Sequence, residues 1–253
     1  MANFVPVRKD QHQNLKLAAT RDLSHVAKQH IVPITAAEFS QASASFPVVV
    51  VKDPESSRFR SVVMLGLESG ENVFYGEASW NALYVPLSVG VVPFSLGLDP
   101  EKEKTLTACI DLDSPLVGED KDVPLFEENG DEAEVLKNFQ KSLARLYDNE
   151  VMTEKFLKVM ADHDLFQEVE LIMTSNNGEK KKLVGIYTIN ESKVKELADD
   201  VVLDFHKRGL FVPIYAMLGS LGQLNRLVKH RNLTSEVKIN GIQITPVGNE
   251  EQK

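Results

Sequence analysis

The residue types able to do chemistry in this chain are scattered along it. The six histidines, His12, His25, His30, His163, His206 and His230, fall into no zinc-protease, His-x-Asp or His-rich spacing, so any metal site would have to be assembled by the fold. Asp111-Leu-Asp113 sets two carboxylates at a strand's period, on one face, as in paired carboxylates that hold a divalent ion on a nucleotide sugar. A strand end running into a solvated acidic loop is the simpler reading of that short pattern. Cys109 is the sole cysteine and lies in an alternating run with no adjacent His or Lys to lower its pKa, which describes an inert core thiol in a reducing compartment. Neither Gly66 to Gly70 nor Gly219 to Gly222 has the glycine spacing or following Lys-Ser/Thr of a phosphate-binding loop, and no serine sits in a Gly-x-Ser-x-Gly elbow. The concentrated feature is Gly70-Glu-Asn-Val-Phe-Tyr-Gly-Glu-Ala-Ser-Trp80, followed by Tyr84-Val-Pro86 and Pro93-Phe94. It holds the only tryptophan and two of five tyrosines beside groups able to orient a ligand. Asn72, Phe74, Trp80 and Tyr84 are the candidate binding residues; no catalytic or metal residue and no cofactor is assigned.

These residues must be positioned by a chain of 253 residues, 43% hydrophobic and 26% charged, enough for one sizeable core: a single domain over 1–253, or two closely packed lobes. The net charge of -9 is local. From Asp111 to Glu134 there are ten acidic residues against Lys121, and the rest of the chain carries 27 charges of each sign. A balanced body has no basic face for phosphates or anionic lipid, so nucleic acid is not an expected partner. Met1 to Asp22 lacks the apolar run of a signal peptide, which points to the cytoplasm, with nonclassical export left open. Ala78 to Leu98 is an uncharged window of 21 residues, long enough to cross a bilayer, but Pro86, Pro93, Gly90 and Gly97 break it. Extended segments buried in a water-soluble core are expected there, without membrane insertion.

The expected fold is α+β, with a mixed or antiparallel β-rich N-terminal half packed with a helical C-terminal half that contains a β-hairpin. The divisions are an arm (1–30), a β-rich part (31–111), an irregular acidic loop (112–131), an α+β part (132–235) and a tail (236–253). Strands are expected at Ile31–Ile34, Pro47–Lys52, Arg58–Leu67, Val73–Tyr75 and Lys104–Asp111. Thr35-Ala-Ala-Glu38 reads as a capping box and Asp131 as a helix N-cap. Leu136, Phe139, Leu143 and Leu146 mark a helix from Glu132 to Tyr147, and Thr153 caps a second. Asn176-Asn-Gly178 joins Glu168–Thr174 to Lys182–Ile189 as a hairpin. One helix capped by Ser192 runs through Phe205 to Gly209, and one more covers Pro213–Lys229, where Gly219 and Gly222 suggest close packing. Glu236–Thr245 is an edge strand.

An ordered series of landmarks resembles the SapC family. It comprises Val32-Pro-Ile with Glu38, Pro47 and its apolar strand, Gly66-Leu67, the aromatic segment, Pro124-Leu-Phe126, Gly185-Ile-Tyr187 and the helix from Tyr215 to Leu227. Members are often labelled peptide-transport permeases, a label at odds with the broken apolar window. The family's association with flavin-dependent halogenases, cupin-like oxygenases and outer-membrane receptors implies a supporting role in modification or uptake of a substrate. The expected function is therefore a noncatalytic binding or accessory protein that takes a polypeptide partner or small ligand. The alternatives are a metal-dependent enzyme using Asp111, Asp113 or a distant His, and a surface-layer component, which follows from the family's name alone.

Overall fold

The computed structural model describes residues 3–20, 22–77, 79–103 and 105–248. Ala78 and Lys104, which open the uncharged window and the fifth expected strand, lie outside them. The fold is α+β with antiparallel sheets, and the chain divides into two compact units, Met1–Ser24 with Leu87–Asp148 and His25–Pro86 with Asn149–Lys253.

In the first unit, Leu106–Asp111 pairs between Phe4–Pro6 and Phe94–Leu98. The N-terminal arm is thus an ordered part of a sheet, and Val5, Val7 and Leu15 pack on the unit's core. The acidic segment is likewise only partly a loop. Val117–Gly118 and Val123–Pro124 flank Lys16–Leu17, while Val117, Leu125 and Phe126 enter the core, because apolar residues every few positions gain more by burial than the intervening carboxylates need in order to stay wet. Asp131 bonds with Asn129 in the turn and does not cap the helix, which begins at Glu134. Asp111 ends its strand and Asp113 lies in the turn beyond, so the two do not share a strand face. Asp111 Oδ1 accepts the amides of Asn3 (2.7 Å) and Asp113 (3.2 Å). Cys109 is buried against Gly97, and that burial first, with Asp99, raises its thiol pKa.

Helix α1, Glu134–Asp162, is continuous over 29 residues where two helices were expected. Thr153 looks like an N-cap in sequence, but its hydroxyl donates to the carbonyl of Asn149 (2.6 Å), the back-bond a mid-helix threonine makes. The same oxygen accepts the amide of Ala36 (2.8 Å).

The second unit is built on a six-stranded antiparallel sheet. Its strands are β1 (Ile31–Pro33), β2 (Val48–Lys52), β3 (Phe59–Met64), β4 (Phe166–Ser175), β5 (Lys180–Ile189) and β6 (Ile239–Pro246), in the spatial order β6-β4-β5-β2-β3-β1. Three strands come from each half of the sequence, so the sheet joins what composition had separated. Gly178, at φ +83, makes the expected β4–β5 turn, and the tail supplies β6 at the edge. Helices α2 (Asp199–Lys207), α3 (Phe211–Ser220) and α4 (Gln223–Thr234) complete the unit. The helix expected from Ser192 is two helices. Glu191–Lys195 is capped by Asn190, whose side chain accepts the amide of Lys193 (3.1 Å), and α2 follows. The expected C-terminal helix also breaks, between α3 and α4 at Leu221-Gly222. Close packing does not explain its glycines, since a Cβ on Gly219 would meet nothing within 4 Å and one on Gly222 only Gly219 O at 3.6 Å. Ser220 is buried and accepts the amide of Val48 (2.8 Å), tying α3 to β2.

The uncharged window holds Ser79–Trp80 as a short strand, a helical turn at Leu87–Gly90 and the strand Phe94–Leu98. Val89, Val91 and Phe94 are buried, whereas Leu83 and Leu98 are exposed. Among the described residues no helix is long and apolar enough to cross a membrane.

Candidate binding site

The four sequence candidates all fall in the second unit, in the chain that leaves β3. Asn72 is buried and structural: its Nδ2 donates to Val26 O (2.8 Å) and its Oδ1 accepts the amide of Phe74 (2.9 Å). Phe74 is 0% exposed, edge-on to Phe46 with centroids 4.8 Å apart, and close to Trp80 (6.4 Å) and His230 (5.3 Å). These two residues are therefore interior and lie beneath the aromatic loop. Burial first, then Arg226 and Lys229, lowers the pKa of His230, and Arg226 Nε–H donates to its Nε2 (3.4 Å).

Trp80 and Tyr84 are half-buried. Trp80 lies opposite Tyr75 in a two-stranded ribbon, and its indole N–H donates to the carbonyl of Tyr84 (2.9 Å), closing the loop between them. The Tyr84 hydroxyl donates to Glu38 Oε1 (2.7 Å). Glu38 is only 2% exposed, and its Oε2 accepts both the amide (3.0 Å) and the hydroxyl (2.7 Å) of Thr35. Here the capping box does more than cap a short helical turn, because its carboxylate has become the anchor of the aromatic loop. Ala36 is held in turn by Thr153. Glu150, one helical turn before Glu154, has its carboxyl pKa raised, first by partial desolvation and then by Glu154 and Glu38 against the opposing pull of Arg60.

The loop so fixed presents Leu83, 85% exposed, between Trp80 and Tyr84. Leu83 was not among the sequence candidates. An isolated leucine beside Asn81 and Ala82 carries no pattern in the sequence. Glu38 was legible as a cap and a family landmark, and not as a partner of Tyr84. Among the described residues no three His, Cys, Asp or Glu side chains are gathered to hold a metal ion.

Fold and site together define an α+β protein with an aromatic loop pinned over a buried carboxylate. The chain belongs to the SapC family, whose model matches residues 7–227. No curated protein and no solved structure matches it.

Proposed function

We propose that this SapC-family protein is a noncatalytic binding protein that engages a polypeptide partner through the loop from Ser79 to Pro86, as an accessory to a substrate-modifying or uptake system. The observation that carries this reading is an exposed leucine on a loop already held by the Trp80–Tyr84 and Tyr84–Glu38 hydrogen bonds. An apolar side chain on a pinned loop loses little conformational freedom on docking, and flanking Trp and Tyr rings add contact area with few rotors. A small ligand would need a cavity between the rings, whereas a protruding tip suits a groove on a partner.

The test uses the exposed tip, so that folding is left intact. Material isolated from the source cells with the parent protein is compared with that isolated using Leu83→Asp, and the polypeptide lost is then titrated, purified, against the emission of Trp80, the chain's only tryptophan. The expected outcome is at least a tenfold weakening on substitution, equal to about 1.4 kcal/mol. Equal binding by parent and variant, with Trp80 emission unmoved, overturns the proposal.

A further inference from the structure

The two edges of the six-stranded sheet differ. β1 is three residues long and ends on Pro33, features that discourage strand addition. β6 is eight residues long, pairs among the described residues only with β4, and carries no charge from Ile239 to Pro246.

Which backbone groups of β6 face outward follows from one bond. Val247 N–H donates to Glu168 O (2.9 Å), and in an antiparallel ladder bonded pairs alternate with non-bonded ones. The register then makes Glu170–Thr245, Ile172–Gln243 and Thr174–Gly241 the bonded pairs, so the amides and carbonyls of Ile242 and Ile244 point away from β4. No other described residue bonds to them. The slot has defined ends. Both backbone groups of Ile239 are occupied by the Asn232 side chain (2.8 and 2.9 Å), and Pro246 has no donor to offer.

We propose that this edge pairs with the same edge of a second copy, antiparallel about a two-fold axis at Gln243. In that register Ile242 of each copy lies opposite Ile244 of the other and exchanges both backbone hydrogen bonds with it, while the two Gln243 side chains meet at the axis. Neighbouring registers are poorer. Centring on Ile244 sets Ile242 against donorless Pro246, and centring on Ile242 sets Ile244 against Asn240, which is skipped in the β4–β6 register. The absence of charge along β6 removes the like-charge repulsion that usually protects an edge from its own copy. A seam this short forms a reversible, concentration-dependent dimer.

Sedimentation equilibrium of the full chain tests this directly: the apparent mass rises above 28.2 kDa with concentration. Gln243→Cys then oxidises to a covalent dimer, because a non-bonded antiparallel pair brings Cα atoms within disulfide range. The parent does not, since Cys109 is 5% exposed. Gly241→Cys does not either, as its two copies lie about 13 Å apart along the strands. Ile244→Pro removes the outward donor while sparing the β4 ladder, and Gln243→Lys, at an exposed position, sets two ammonium groups face to face; each weakens dimerisation at least about tenfold. Strict monomers at every concentration overturn the proposal. So does a dimer that survives Gln243→Lys, or cross-linking through Gly241→Cys as rapid as through Gln243→Cys.

Discussion

At the scale of single residues, the side chains that organise the site act through burial. Glu38 keeps its carboxylate inside because Thr35 and Tyr84 supply three donors. Burial is the main reason His230 and His12 both have pKa values lowered from the ordinary value near 6.5, with Asp10 opposing it at His12. Below that ordinary value the unfolded chain takes up a proton that the folded chain still refuses, so stability falls as pH drops toward the lowered folded value and levels off beneath it. Thermal unfolding followed between about pH 7 and pH 5 is expected to show this fall, and His230→Phe, which keeps a ring against Phe74, to make it shallower. An unchanged slope would remove His230 as its source. The sequence showed these histidines as isolated residues, since the groups that bury them come from distant elements.

At the scale of elements, the turn after β3 fixes where the aromatic loop begins. Leu67 N–H donates to Glu71 Oε2 (2.8 Å), and buried Arg231 on α4 reaches Glu71 (3.0 Å) and Glu68 (3.2 Å). Gly66 permits this tight turn because a Cβ there would stand 2.2 Å from the carbonyl oxygen of Glu71. Gly66→Ala is expected to destabilise the protein by about 3 kcal/mol, the upper range for overpacking, measured by denaturant unfolding; a change under about 0.5 kcal/mol would show that the turn relaxes freely. The element boundaries also explain which sequence expectations succeeded. Asn-Gly at 177–178 fixed its hairpin and the continuous β-branched run of Pro47–Lys52 fixed a central strand, because both preferences are local. Thr153 was misleading because a threonine hydroxyl serves equally as a cap or as a back-bond, and the neighbouring turns decide between them.

At the scale of the whole molecule, the charge of -9 arises from one segment, and the fold secures that segment by pairing its short strands with Lys16–Leu17 and burying Val117, Leu125 and Phe126. Carboxylates gathered on an anchored segment repel one another in the folded state. Raising ionic strength from about 0.01 M to about 0.15 M, which shortens the screening length from roughly 30 Å to roughly 8 Å, is therefore expected to raise the thermal midpoint. Calorimetry showing a constant or falling midpoint would mean that the repulsion is already relieved. Sequence alone determined the α+β class, the strand and turn chemistry, the buried thiol and the aromatic concentration, since each follows from residue types within a few positions of one another. Tertiary structure alone decided that three strands from each half share one sheet, that Tyr84 finds Glu38, that Leu83 stands exposed and which strand the tail pairs with. Those outcomes depend on contacts between residues tens to hundreds of positions apart, and no local spacing encodes them.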